Sequence, residues 1–293
     1  MCIVVALGGN ALLRRGETPD VPTQLTHVRD AAGALAVLAA DHEVLLCHGN
    51  GPQVGLLALD AAAGPLDTLV AQTQGMIGYW LMQALRNAGV RSPAVTLVTQ
   101  VLVDAGDPAF SAPTKPVGPV YDEAQAQRLA QSRGWSVARD GDGWRRVVPS
   151  PEPRSVVELD TVRALLASGA LVVCGGGGGV PVVSEGGRLR GVEAVVDKDL
   201  TASMLAEAVG ADLLLVLTDV TAVLADFGSP AAHRLPRLTL AELAALRLPA
   251  GSMGPKVEAC RRFVAATGRM AAIGALEQAT EVVAGTAGTT ITR

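Results

Sequence analysis

Val172-Val173-Cys174-Gly175-Gly176-Gly177-Gly178-Gly179-Val180-Pro181 is the stretch from which the rest of the chain can be read. The apolar residues Leu171 to Val173 read as the end of a buried strand, and five glycines follow without a break. Glycine has no Cβ, so a ligand can approach the backbone closely and several N–H groups can converge on one anion. Two upstream segments repeat the design. Ile3 to Leu7 is an apolar strand running into Gly8-Gly9-Asn10. Glu43 to Cys47 runs into His48-Gly49-Asn50-Gly51-Pro52-Gln53-Val54-Gly55. Any one of these alone is satisfied by a tight strand-to-helix turn. Three together point to a single phosphate-holding crevice at the carboxyl edge of a parallel sheet, where open α/β sheets bind ligands.

Composition bounds the rest. The chain has 293 residues, 49% hydrophobic and 18% charged, enough for a substantial core in one large domain or two lobes. Only 3% is aromatic, too little for the stacking platform that single-stranded nucleic acid needs. The net charge of −4 offers no general attraction to nucleic acid or to an anionic membrane, so an anionic substrate must be held by local positive charge. Cys2, Cys47, Cys174 and Cys260 contain no Cys-x-x-Cys spacing and read as small apolar residues, with no metal expected. No basic segment precedes the first apolar run, so no signal peptide is expected. Thr68 to Leu85 carries no charge but holds several Gln and Thr and two glycines, and reads as a buried helix, not a membrane span. A cytoplasmic protein is expected.

Periodicity places the elements in order. A helix is expected from about Thr23 to Ala40, and a long helix capped by Asp67 ends near Ala88-Gly89. A strand covers Ala94 to Val103. From Asp104 to Pro153 the chain turns rich in Pro, Gly and charge, and an excursion of roughly Phe110 to Val148, with a helix near Glu123 to Ser132, reads as a small subdomain. Ser155-Val156-Val157-Glu158 reads as a capping box. A hairpin follows the glycines, then a sharp connection at Val195 to Asp199 into the helix Leu200 to Val209. A strand at Asp212 to Leu217 ends at Thr218-Asp219-Val220. Thr239-Leu240-Ala241-Glu242 is a second capping box. Gly251 to Lys256 leads into the helix Val257 to Thr267, with Pro255 suited to its first turn. Strands at Met270 to Ile273 and Thr289 to Thr292 close an α/β fold with a mostly parallel sheet.

Several familiar chemistries are absent. There is no Gly-Lys-Ser or Gly-Lys-Thr of a Walker A loop. Gly49-x-Gly51-x-x-x-Gly55 lacks the acidic strand end that a dinucleotide site requires, because Asp67 falls at a helix start. Asp226-Phe227-Gly228 has no His-Arg-Asp loop before it. The lysines are more informative, because Lys115, Lys198 and Lys256 are the chain's complete set. Lys115 lies between Pro113 and Pro116. Lys198 stands between Asp197 and Asp199 at a helix start, and Lys256 follows Gly254-Pro255 at another. A cation there opposes the helix dipole unless an anion binds the cation and the backbone N–H groups together.

These segments carry a resemblance. Val5-Ala6-Leu7-Gly8-Gly9-Asn10-Ala11, His48 to Gly55, Cys174 to Val183, Gly191 to Asp199 and Gly251-Ser252-Met253-Gly254-Pro255-Lys256 resemble the carbamate kinases of the amino-acid-kinase superfamily. So do Thr73-Gln74-Gly75-x-x-Gly78-Tyr79-Trp80, Pro113 to Gly118 and Gly143-Trp144-Arg145-Arg146-Val147-Val148-Pro149-Ser150-Pro151. The resemblance covers nearly the whole chain in order. It implies a three-layer αβα sandwich on a mainly parallel open sheet of about eight strands. One domain would cover 1–293, with a carbamate or carbamoyl-phosphate lobe over about 1–192, a protruding subdomain over about 110–148 and a nucleotide lobe over about 193–293.

The implied reaction is phosphoryl transfer between ATP and carbamate, giving ADP and carbamoyl phosphate, with running toward ATP as a direction the resemblance also implies. Gly8, Gly9, Asn10, Gly49, Asn50, Gly51, Gly175, Gly176 and Gly177 would hold the carbamoyl phosphate end. Lys198, Thr218, Asp219, Val220, Met253, Gly254 and Lys256 would meet the nucleotide. Lys115, Lys198 and Lys256 would be catalytic, with Asp197 and Asp199 holding them, and magnesium would ride on the nucleotide phosphates. A homodimer is implied. Many superfamily members carry a lysine just before Leu-Gly-Gly, where this chain has Ala6, so Lys115 is expected to reach the substrate from outside the sheet. Two alternatives stay open: a superfamily kinase with another acceptor, and a non-catalytic sensor on the same fold.

Overall fold

The computed structural model describes residues 1–14, 16–60, 64–246 and 253–293, the Asn10 side chain excepted. Its centre is an eight-stranded sheet made of β1 (Cys2–Leu7), β2 (Glu43–His48), β3 (Ala94–Thr96), β4 (Leu171–Val173), β5 (Leu213–Thr218), β6 (Arg237–Thr239), β7 (Met270–Ala275) and β8 (Thr289–Thr292). The spatial order is β6-β8-β7-β5-β1-β2-β4-β3. The run from β7 to β3 is parallel, and β8 is antiparallel to β7. The expectation of a mainly parallel sheet between helical layers holds.

The two faces follow from side-chain alternation. Val4, Ala6, Leu45, Cys47, Leu214 and Val216 point to one face, which packs helices Leu159–Ala167, Lys198–Val209 and Met253–Thr267. Ile3, Val5, Leu7, Leu46 and Leu215 point to the other, under helices Val21–Asp41 and Leu66–Asn87. Strands buried on both faces read as unbroken apolar runs, which is why they were legible. β1 lies between β2, which continues the first half of the chain, and β5, which begins the second. Chain order reverses direction across the sheet at that point, which opens a crevice at the carboxyl ends.

Local expectations were corrected in several places, among them the last long helix, which starts at Met253 and not at Val257. The strand expected over Ala94 to Val103 breaks in two, because Thr99 leaves the main sheet: its N–H donates to Gln74 Oε1 at 3.0 Å. Gln100–Leu102 then pairs with Val180–Glu185 in a second sheet. Asp67 does not cap the long helix. Pro65 occupies the cap, and the Leu66 N–H donates to Glu193 Oε1 at 2.9 Å from a distant loop. Ser155 opens no capping box, because Glu158 turns instead to the Gln100 N–H at 2.7 Å and Ser155–Val156 is extended. The helix before β5 starts at Lys198, not Leu200, with Asp197 as its cap. The Thr239–Glu242 capping box is present as expected. Residues 251 and 252 of the turn before Met253 lie outside the described residues.

The excursion is a compact unit: Lys115–Tyr121, Gly143–Val148 and Ser136–Asp140 form a three-stranded antiparallel sheet with helix Glu123–Arg133 against it. It seats on helix Gly51–Leu57, where Gly55 meets Gly118 backbone to backbone. A Cβ on Gly55 would overlap Gly118, whose φ of +75° itself requires glycine. Arg145 Nε donates to the Gly118 carbonyl at 3.0 Å, and Arg133 donates to the carbonyls of Ala58 and Leu59 at 3.0 and 2.8 Å.

Candidate active site

The chain's three lysines converge at the carboxyl edge of the sheet. Asp197 caps helix Lys198–Val209, its Oδ1 accepting from the Asp199 and Leu200 N–H groups at 2.9 and 3.3 Å. That cap fixes the first helical turn, and Lys198 and Asp199 leave it side by side. Lys198 Nζ donates to Asp199 Oδ1 at 2.5 Å, and Lys256 Nζ donates to Asp199 Oδ2 at 3.2 Å. One carboxylate therefore holds two ammonium groups. Asp197 takes the third cation, pairing through Oδ2 with Lys115 of the subdomain. The Lys198 and Lys256 side chains are 10% exposed and that of Lys115 is 29%, so two cations form the floor and the third enters from the solvent side.

Burial of this chain of charges carries a desolvation cost, and apolar residues would hold a fold at least as well. Ionisation is still maintained. Burial pushes the Asp199 carboxyl up, but the ammonium groups of Lys198, Lys256 and Lys115 outweigh it and hold its pKa below the usual range. Burial pulls the Lys256 ammonium down, while Asp199, Asp197 and Asp219 reverse that and hold it above its ordinary value. For Lys198 burial wins, aided by the neighbouring Lys256 charge, and its pKa falls. The arrangement is a preorganised cluster of cations held by carboxylates, which an anion such as a phosphoryl group can replace as partner.

The glycines divide in a way the sequence did not show. Gly175 to Gly179 are all buried. A Cβ on Gly176 would collide with the His48 ring, one on Gly177 with the Asn50 side chain, and one on Gly178 with Val196. Gly49 packs on Gly9, where a Cβ would lie 2.8 Å from its Cα and N. These glycines make room for neighbouring protein atoms. Gly9 and Gly51 are partly exposed, with no atom closer than 3.9 Å to a Cβ on either, and they face open space.

A buried network that sequence reasoning missed pins the glycine turn. Thr99 Oγ1 accepts from the Gly175 N–H at 2.7 Å, Gln74 Nε2 donates to the Thr99 carbonyl at 3.1 Å, and Thr201 Oγ1 donates to the Gly178 carbonyl at 2.9 Å. Asn50 Nδ2 donates to Thr73 Oγ1 at 2.8 Å. His48 Nδ1 donates to the Gly49 carbonyl at 3.0 Å, and burial pulls its pKa down to about 4, so the ring is neutral. Thr73 and Gln74 stood within a quoted segment, but Thr99 and Thr201 carry no sequence signal, since their partners lie far along the chain.

Where a nucleotide is expected, Thr218 ends β5 and its hydroxyl donates to Asp219 Oδ1 at 3.0 Å. Asp219 is exposed and Val220 partly so. Met253 and Gly254 open helix Met253–Thr267, with open space around Gly254. Among the described residues no group of three or more His, Cys, Asp or Glu could hold a metal, and Asp197 and Asp199 are bound to lysines.

A parallel sheet with a lysine-floored crevice at its switch point defines a phosphoryl-transfer fold, and the chain belongs to the amino acid kinase family, whose model matches residues 1–274. Within that family it falls among the carbamate kinases. It is 48% identical to the carbamate kinase of Haemophilus influenzae over 100% of this chain and 97% of that one. It is 47% identical to that of Thermococcus kodakarensis over 99% of each. The solved carbamate kinase of Giardia lamblia bound to citric acid superposes with a TM-score of 0.93 at 40% identity, covering 99% of this chain and 98% of that one. The same Giardia enzyme has been solved with AMP-PNP, where the TM-score is 0.89.

Proposed function

We propose that the chain catalyses reversible phosphoryl transfer between ATP and carbamate, through the Lys115, Lys198 and Lys256 cluster. The observation that carries the reading is the convergence of every lysine in the chain on one crevice, within a carbamate kinase likeness that spans the full length. Carbamate or carbamoyl phosphate would lie over Gly9 and Gly51, in the N-terminal lobe of about 1–192. The nucleotide phosphates would lie over Thr218 to Val220 and the start of helix Met253–Thr267, in the lobe of about 193–293.

Phosphoryl transfer asks little covalent chemistry of a protein; it asks for alignment and for neutralisation of charge spreading over the moving group. Lys198 and Lys256 supply two fixed cations from the floor. Lys115 supplies the third when the substrate phosphate displaces Asp197 as its partner, and its strand closes the crevice from the solvent side. Asp199 keeps the two floor ammonium groups charged and in place, and Asp197 keeps the turn that bears them. Closure of the subdomain excludes water from labile acyl phosphate and carbamate. Magnesium suits the nucleotide phosphates better than these lysine-bound carboxylates, and when bound there it supplies further charge neutralisation. Direction toward ATP, a cytoplasmic location and a homodimer are part of the same reading. Tyr79 and Val98, both more than half exposed on neighbouring elements, offer an apolar face for the dimer.

The test is a coupled assay for ATP with purified protein, magnesium, ADP and carbamoyl phosphate. ATP formation is expected. ATP from acetyl phosphate but not from carbamoyl phosphate would overturn the carbamate assignment.

A further inference from the structure

Gly143 to Pro151 carries adjacent arginines that the crevice does not use. Arg145 braces the Gly118 carbonyl and pairs with Asp140 at 3.1 Å. Arg146 has another setting. It stands opposite Val117 in the pairing of Lys115–Tyr121 with Gly143–Val148. Directly opposed residues share a face, as do residues two apart on a strand, so Arg146 shares the face that carries Lys115 into the crevice. Its guanidinium lies 4.5 Å from the centre of the Trp135 ring, where Arg133 also stacks at 5.2 Å. Arg133 is engaged by two carbonyls. Arg146 has the ring and no hydrogen bond or ion pair to any described residue. Burial pulls its pKa down, with Glu193 acting against that. The nearby Tyr121 hydroxyl is buried and has no hydrogen-bond partner among the described residues. A buried hydroxyl without a partner is rare, whereas the Arg146 guanidinium is half-buried and reaches the open space beside it.

A cavity of about 440 Å³ opens beside them, lined by Asp60, Leu66, Arg133, Trp135, Arg146 and Glu193. Glu193 belongs to the loop that leads to Asp197. One of its oxygens accepts from the Leu66 N–H, and neither oxygen pairs with Arg146. The cavity thus has an unpaired guanidinium on the subdomain side and a carboxylate on the body side.

We propose that this cavity binds a zwitterionic small molecule of the α-amino-acid type, with its carboxylate on Arg146 and its ammonium on Glu193. A plain anion would meet Glu193, and a plain cation would meet the arginines. A zwitterion matches both walls, and the guanidinium fork suits a carboxylate. Trp135 and Leu66 supply an apolar wall for the ligand's side chain. The strand bearing Arg146 pairs with the strand bearing Lys115, and Glu193 lies in the loop that ends at Asp197. A ligand bridging the two therefore favours the seated subdomain and shifts the population toward it.

The experiment is a thermal-shift screen of the full chain against the twenty standard L-amino acids, followed by calorimetry on the strongest. At least one is expected to raise Tm by a few degrees, the shift given by a ligand at about ten times its Kd. Affinity should fall at least about tenfold in Arg146→Gln and in Glu193→Gln, and for the N-acetylated and the amidated forms of the same amino acid. Circular dichroism and the unliganded Tm verify that each variant is folded. Saturating carbamoyl phosphate should not displace the ligand. The proposal is overturned by no shift with any amino acid, by unchanged affinity in both variants, by equal binding of the N-acetylated form, or by displacement with carbamoyl phosphate. Binding is read without turnover, so failure of the kinase assignment leaves this test standing.

Discussion

Lys256 is held above its ordinary pKa because Asp199, Asp197 and Asp219 outweigh the burial that opposes its charge. A cation held that way meets a transferring phosphoryl group without reorganising. Lys256→Ala is therefore expected to lower kcat by roughly 10²–10³-fold, the scale for losing one preorganised electrostatic group. Steady-state kinetics decide the matter: a change confined to KM would assign Lys256 to ground-state binding. His48 makes the opposite point. It is buried and neutral, with its pKa lowered to about 4 from an ordinary 6.5. The unfolded chain takes up the proton first as pH falls, so this group's contribution to stability is whole above pH 6.5 and is lost progressively down to about pH 4. Between pH 8 and pH 5 the loss from His48 alone comes to about 2 kcal/mol. Denaturant melts at the two pH values measure it, and a His48→Gln variant should show a flatter pH dependence.

At the scale of elements, the seat of the subdomain decides whether Lys115 arrives. The strand Lys115–Tyr121 rests on helix Gly51–Leu57 through the Gly55–Gly118 contact, where a methyl group on Gly55 would overlap Gly118 and the φ of +75° at Gly118 strains any side chain. Gly55→Ala must lift the strand that carries Lys115 while leaving the eight-stranded sheet untouched. Lys115→Ala and Gly55→Ala are thus expected to lower kcat similarly, by roughly 10²-fold or more, with Lys115→Ala nearly unchanged in Tm. Wild-type kinetics in either variant would detach the subdomain from catalysis. Ala6, fully buried in β1, supplies no charge, which leaves the third cation to come from the subdomain. The elements themselves were largely legible, because apolar runs and caps are local. The break at Thr99, the Pro65 cap and the use of Glu158 were not, because each depends on a partner tens of residues away in the chain.

At the scale of the molecule, the sheet order places the first half of the chain on one side of β1 and the second half on the other. The crevice between them is where two substrates from opposite sides can meet in line. In the reading proposed above, the exposed Tyr79 and Val98 belong to the dimer face. Light scattering on the purified protein should give twice the mass of one chain, and a monomer at micromolar concentration would remove the dimer from the proposal.

The sequence by itself determined the class of the fold, the three glycine-ended strands and the identity of every lysine available to the chemistry. Those follow from local pattern and from composition, which need no partner. It also placed Asp197 and Asp199 beside Lys198, since adjacency in the chain put them on one helical turn. Only the tertiary structure decided that Asp199 binds Lys198 and Lys256 together and that Asp197 binds Lys115. It also decided that the space beside Gly176, Gly177 and Gly178 is filled by His48, Asn50 and Val196, while Gly9 and Gly51 stay open. Whether a glycine leaves space for a ligand or for a neighbour is a property of what packs against it, and that is set by contacts between distant segments.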